Sequence, residues 1–143
     1  MMRNALYLFT CLLGFSSLSF AQEIPAPTPD MATVVFYRIP QFAGAGNNFT
    51  VRANGTELCR LSNKRYFVSK LKPGKVEFTT VAGGLNIPDK EVFSLDLEAN
   101  KVYYIQGDMK TRLMTQKLVL TEVTESTAKK KLPDMKIDNC MKE

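Results

Sequence analysis

Asn54-Gly55 lies between two short runs of alternating apolar and polar residues, and this dipeptide narrows the fold more than any other stretch of the chain. Both residues tolerate positive φ, which a two-residue type I′ turn demands at both central positions. The run before it, Phe49–Ala53, places Phe49, Val51 and Ala53 on one side and Thr50 and Arg52 on the other. Period-two alternation of this kind marks a half-buried strand. The run after it, Thr56–Leu61, is then the return strand of a hairpin. Similar punctuation recurs along the chain. Ser62-Asn63-Lys64 turns the chain into Arg65–Leu71, and Pro73-Gly74 presets a tight turn into Lys75–Val81. Glu98-Ala99-Asn100 joins Glu91–Leu97 to Lys101–Gln106, and Thr115–Val123 follows a polar loop. The opening run, Ala32–Ile39, is apolar on both faces, with Val34 and Phe36 on one and Val35, Tyr37 and Ile39 on the other, as in a central strand. These short runs predict an all-β protein, an antiparallel β-sandwich of about 7–8 strands. No βαβ alternation argues for a nucleotide-binding α/β fold. Ser126–Leu132 reads as a short helix that Pro133 ends, dependent on tertiary contacts.

The flanks divide the chain further. Residues 1–21 have the parts of a secretory signal: Arg3, an uncharged apolar stretch from Ala5 to Phe20, and small residues Ser19 and Ala21 at −3 and −1. Cleavage is expected after Ala21; an uncleaved anchor is the alternative. Cys11 sits inside the apolar run, preceded by bulky Phe9 and Thr10, and makes a poor lipoprotein site. No later run is long and apolar enough for a membrane helix, so the mature chain is expected to be periplasmic or secreted. Residues 22–31 carry three prolines and read as an extended tether, 32–123 as the sandwich, and 124–143 as a Lys-rich tail. Once Cys11 leaves with the leader, Cys59 and Cys140 remain. In an oxidising compartment they suggest one disulfide, with two free thiols or a bond between chains as alternatives.

Composition removes several function classes. The chain has no His, the commonest general base and zinc ligand, so no metal site or cofactor is expected. The formal net charge of +5 is spread along the chain apart from Lys129-Lys130-Lys131, which gives solubility and mild attraction to anionic surfaces. It lacks the basic stripe with aromatics that nucleic-acid binding needs. Ser126-Thr127-Ala128-Lys129 matches S-x-x-K but lacks the supporting motifs of the penicillin-recognising enzymes. Gly44-Ala45-Gly46 precedes a strand rather than a helix, so it has no helix N-terminus to hold a phosphate. Asp96 and Glu98 share a strand face at a separation that glycosidases use, yet a polar outer face explains them more simply. The chain is therefore expected not to be an enzyme; a small carboxylate-dependent hydrolase is the least favoured reading.

Several stretches resemble a known family. Thr33-Val34-Val35-Phe36-Tyr37-Arg38 looks like the opening strand of the bacterial domain-of-unknown-function family 2846. The Asn54-Gly55 hairpin fits it, as does Tyr66-Phe67 followed by Leu71, Pro73-Gly74 and Phe78. Lys101-Val102-Tyr103-Tyr104-Ile105 is similar to its late strand. The resemblance spans residues 32–123, and the Tyr…Pro-Gly stretch also resembles small PEGA-type envelope β-domains. It implies a small exported β-sandwich, often lipid-attached, with no established activity. This chain departs from the pattern in lacking a convincing lipobox.

Topology supplies the one positive site expectation. If successive strands run antiparallel, the two long Gly-containing loops, residues 40–48 and 82–90, meet at one end with the 62–64 and 107–114 connections. Such loops on a rigid sandwich are the usual place for recognition. The expected binding surface comprises Phe42, Asn47, Asn48, Asn63, Lys64, Asn86, Lys110 and Arg112. Its chemistry suits a glycan, an envelope polymer or an acidic protein surface. The competing expectation is an assembly protein that pairs through an exposed strand edge. Oligomeric state is left open.

Overall fold

The alternating runs become strands because each has an apolar face to bury, and β1, Ala32–Arg38, has two. A computed structural model describes residues 24–83, 90–112, 115–138 and 140. The other strands are β2 (Phe49–Ala53), β3 (Thr56–Leu61), β4 (Arg65–Leu71), β5 (Gly74–Ala82), β6 (Phe93–Leu97), β7 (Val102–Arg112), β8 (Thr115–Val123) and β9 (Lys136–Ile137). A helix, α1 (Glu125–Lys131), and a 3-10 turn (Leu132–Asp134) separate β8 from β9. One sheet has the order β8-β7-β1-β4-β9 and the other β3-β2-β5-β6. Pairing is antiparallel except at β1–β7 and β4–β9. The fold is an all-β sandwich with a short C-terminal helix.

The core between the sheets is filled by alternate residues of each strand. Val34 and Phe36 of β1 meet Val51, Leu61, Phe67, Phe78 and Ile105. The Phe36 ring stacks on Phe67 with centroids 4.8 Å apart and meets Phe78 edge-on at 5.3 Å, both favourable aromatic geometries. The other face of β1 has its own cover. Val35 and Tyr37, with Tyr66 and Tyr104, pack beneath Ala128, Leu132 and Met135. The apolar character of both faces of β1 thus reflects a three-layer arrangement over the five-stranded sheet.

The segment expected as a Lys-rich tail supplies that third layer. The Thr124 side chain accepts from the Thr127 N–H and caps α1, while Lys129, Lys130 and Lys131 occupy the last turn, where the helix dipole favours cations. The chain then adds β9 beside β4, an element that two residues of sequence could not announce. Just beyond it, the Asp138 carboxylate accepts from the Ser62 N–H at 2.7 Å and from Ser62 Oγ at 3.2 Å. Cys59 and Cys140 stand at disulfide distance, with Cα atoms 5.5 Å apart.

Two further expectations are adjusted. Ile24 packs against the tyrosine-rich layer and residues 28–31 close a small bridge, so the described part of the proline segment is not wholly solvated. The stretch expected as a polar loop from residue 107 is instead the second half of β7. Gln106, Asp108 and Lys110 alternate with Gly107 and Met109 on a long hairpin whose register runs to Arg112 opposite Thr115. Gly107 hides the alternation in the sequence. A Cβ there would lie 3.1 Å from the Leu118 side chain, so the glycine makes room for Leu118. The signal segment and most of the 82–90 loop, with Asn86, lie outside the described residues.

Candidate functional site

The end of β1 is where connections converge, and Gln41 ties two of them to β7. Its backbone N–H donates to Asn63 Oδ1 at 3.0 Å, and Asn63 Nδ2 returns a bond to the Gln41 carbonyl at 3.2 Å. Its side-chain amide pairs with the backbone of Met109: Oε1 accepts from the Met109 N–H at 2.9 Å, and Nε2 donates to the Met109 carbonyl at 3.4 Å. The β1–β2 loop, the β3–β4 turn and β7 are thereby held at one rim. Asn47 Nδ2 adds a bond to Gln116 Oε1 on β8. The end of β5 joins through the Gly83 N–H, which donates to the Asn48 carbonyl at 2.7 Å. A Cβ at Gly83 would lie 2.9 Å from that carbonyl oxygen, so only glycine allows this approach.

Arg38 holds the loop from below. It continues the inner face of β1 after Val34 and Phe36 and is 0% exposed. Its Nη1 donates to the Asn47 carbonyl, and Nη2 donates to the Gly44 carbonyl at 3.1 Å. Nη2 also faces Met109 Sδ at 3.6 Å, and the guanidinium carbon lies 5.3 Å from the Phe49 ring centroid. Burial lowers the Arg38 pKa. Gly44 adopts φ +73, which turns its carbonyl into the loop at no steric cost.

Of the predicted binding residues whose side chains the structure describes, some act as ties and others are exposed. Asn47, Asn48 and Asn63 are used, wholly or in part, to fasten loops to one another. The residue after each of the three tied by Gln41's own bonds is exposed: Phe42 follows Gln41, Lys64 follows Asn63, and Lys110 follows Met109. Phe42 is fully exposed, at 102%. Lys64 takes φ 58, which swings the β3–β4 turn back on itself. Arg112 ends β7 opposite Thr115. Arg38 and Gln41, the two residues that build the rim, were not among the sequence candidates. An arginine at a strand end reads as solvent-facing, and a loop glutamine carries no pattern at all.

The remaining sequence candidates fall elsewhere. Asp96 and Glu98 are exposed, and Glu98 pairs with Lys101 at 2.8 Å. Ser126 lies in the exposed first turn of α1, and Lys129 pairs with Glu125 at 2.6 Å. A groove of about 810 Å³ lies between the proline segment, the start of β7 and α1. Tyr104 and Leu132 line it, and burial, then the Glu125 charge, raises the Tyr104 pKa. Among the described residues no group of three His, Cys, Asp or Glu is placed to hold a metal ion. None of their helices is long and apolar enough to cross a membrane.

These features define a small β-sandwich with a helical cover on one sheet and its loops fastened together at one rim. The chain belongs to the family described as protein of unknown function (DUF2846), whose model matches residues 28–119. The match takes in Arg38, Gln41, Asn63 and Met109, and it stops within β8, before α1, β9 and Cys140. No curated protein matches the chain.

Proposed function

We propose that the chain is an exported, non-enzymatic binding or accessory module of the bacterial envelope that grips its partner with the loop rim. The observation that carries this reading is the arrangement around Gln41. The β1–β2 loop, the β3–β4 turn and the end of β7 are locked together, and the next residue of each tied position, Phe42, Lys64 and Lys110, is left exposed. A rigid support keeps the ordering cost of binding low. An exposed aromatic ring and exposed cationic side chains on the same rim suit a glycan, an anionic envelope polymer or an acidic protein surface. The leader-like residues 1–21 and a cysteine pair at bonding distance support export to an oxidising compartment.

Capture from a native envelope fraction tests the rim. Phe42→Ala combined with Lys64→Ala and Lys110→Ala keeps the strand-dominated far-UV spectrum and lowers capture by at least about tenfold, the equivalent of roughly 1.4 kcal/mol. Undiminished capture by the folded triple variant refutes the rim reading. It favours pairing through β8, the nine-residue outer strand of the five-stranded sheet.

A further inference from the structure

We propose that Arg38 forms the floor of an oxyanion site beneath the β1–β2 loop, where it receives a carboxylate or phosphate group of the partner once Met109 swings aside. The inference rests on the rim reading and names the chemistry that the rim recognises.

Arg38 is more than a clip for the loop. A guanidinium has five N–H donors, and a buried one needs both hydrogen bonds and a counter-charge. Here two carbonyls, a thioether and an aromatic face answer a full positive charge. The ion pairs among the described residues join Lys101 to Glu98, Lys117 to Glu91 and Lys129 to Glu125, and none involves Arg38. Nε of Arg38 is buried with no hydrogen-bond partner.

The shortfall lies on one edge of the guanidinium. Nε and Nη2 form its side-on edge, the pair of parallel donors that a carboxylate or phosphate takes with two oxygens. On that edge Nε has no hydrogen-bond partner, and Nη2 shares its donors between the Gly44 carbonyl and Met109 Sδ, a weak acceptor. A purely structural arginine gains nothing from leaving this edge unsatisfied, whereas an oxyanion completes it and supplies the missing charge.

Met109 is a suitable plug. Its side chain is unbranched and flexible, and it is 7% exposed at the end of the inner face. Gly44 lies directly against it; a Cβ at position 44 would collide with Met109 Sδ.

The test follows the Arg38 Nε–H signal in a proton–nitrogen spectrum of the full mature chain. Acetate and inorganic phosphate are the two probes, each titrated at constant ionic strength with chloride as the control. The signal is assigned through its bonded side-chain nuclei, so no variant is required. The expected result is a saturable shift of Arg38 Nε, half-complete at about 1–10 mM, with Arg52, Arg60 and Arg65 unmoved. A response to acetate alone assigns a carboxylate, and a response to phosphate alone assigns a phosphate group. Met109→Leu keeps the plug apolar, frees Nη2 from the sulfur, and lowers the half-saturation concentration about threefold, the equivalent of roughly 0.6 kcal/mol. Silence to both probes, or a shift shared by all arginines, overturns the site. Phe42→Ala separates the two claims. Lost capture with a silent Arg38 keeps the rim and removes the oxyanion site, while a responding Arg38 with undiminished capture does the reverse.

Discussion

Tyr37 and Arg38 are neighbours on β1 that serve opposite layers, and the difference sets their chemistry. Tyr37 points under the helical cover, and its hydroxyl donates to Gln106 Oε1 at 2.9 Å. Burial, helped by the Asp108 charge, pushes its pKa from 10.0 up to about 12. A pKa raised by folding means that the folded state resists ionisation. The Tyr37 contribution is therefore fully present below pH 10.0 and is lost as pH rises through about 12. The urea midpoint of the wild type should fall more steeply across that window than the midpoint of Tyr37→Phe. Equal slopes would remove Tyr37 from the alkaline transition. The sequence revealed which face each β1 residue takes, because alternation is a local signal. It did not reveal that Arg38 is buried, since the carbonyls that hold it, from Gly44 and Asn47, reach it only when the loop folds back.

Among the elements, the β2–β3 hairpin was the most readable. Asn54 adopts φ 48 and Gly55 φ 81, as the type I′ turn demands. Asn54 does more than turn the chain, for its Oδ1 accepts from the Glu77 N–H at 2.9 Å and ties the turn to β5. Gly55→Ala strains a positive-φ position with no crowding around it, so thermal unfolding should show a loss of about 1 kcal/mol with the rim intact. The second half of β7 was unreadable because Gly107 erases its alternation. β9 was unreadable because a two-residue strand has no period. Asn63, expected at the binding surface, also serves as a tie, a role hidden in the sequence because its partner Gln41 lies 22 residues away.

At the scale of the whole molecule, the C-terminal segment completes the fold. It covers the tyrosine-rich face of one sheet, adds a strand and brings Cys140 to Cys59 across a separation of 81 residues. A bond closing a loop of that size stabilises by about 4 kcal/mol on chain-entropy grounds. Oxidised protein prepared from residue 22 onward should therefore show no free thiol under denaturing titration, and Cys140→Ser should lose stability of up to that order in urea unfolding. A full complement of free thiols in protein isolated without reductant would contradict this. The sandwich could be anticipated because strands and turns are written locally, and the gathering of loops at one end followed from strand alternation. The third layer could not, because it depends on a polar, lysine-rich stretch presenting only Ala128, Leu132 and Met135 inward. The central claim is that this assembled rim is the surface that meets the partner. Site-specific photo-crosslinking in native cells tests it most directly, with the reactive side chain placed at position 42 on the rim and, separately, at position 121 on β8. The account predicts a discrete adduct from position 42 and none from position 121; an adduct from position 121 alone would contradict it.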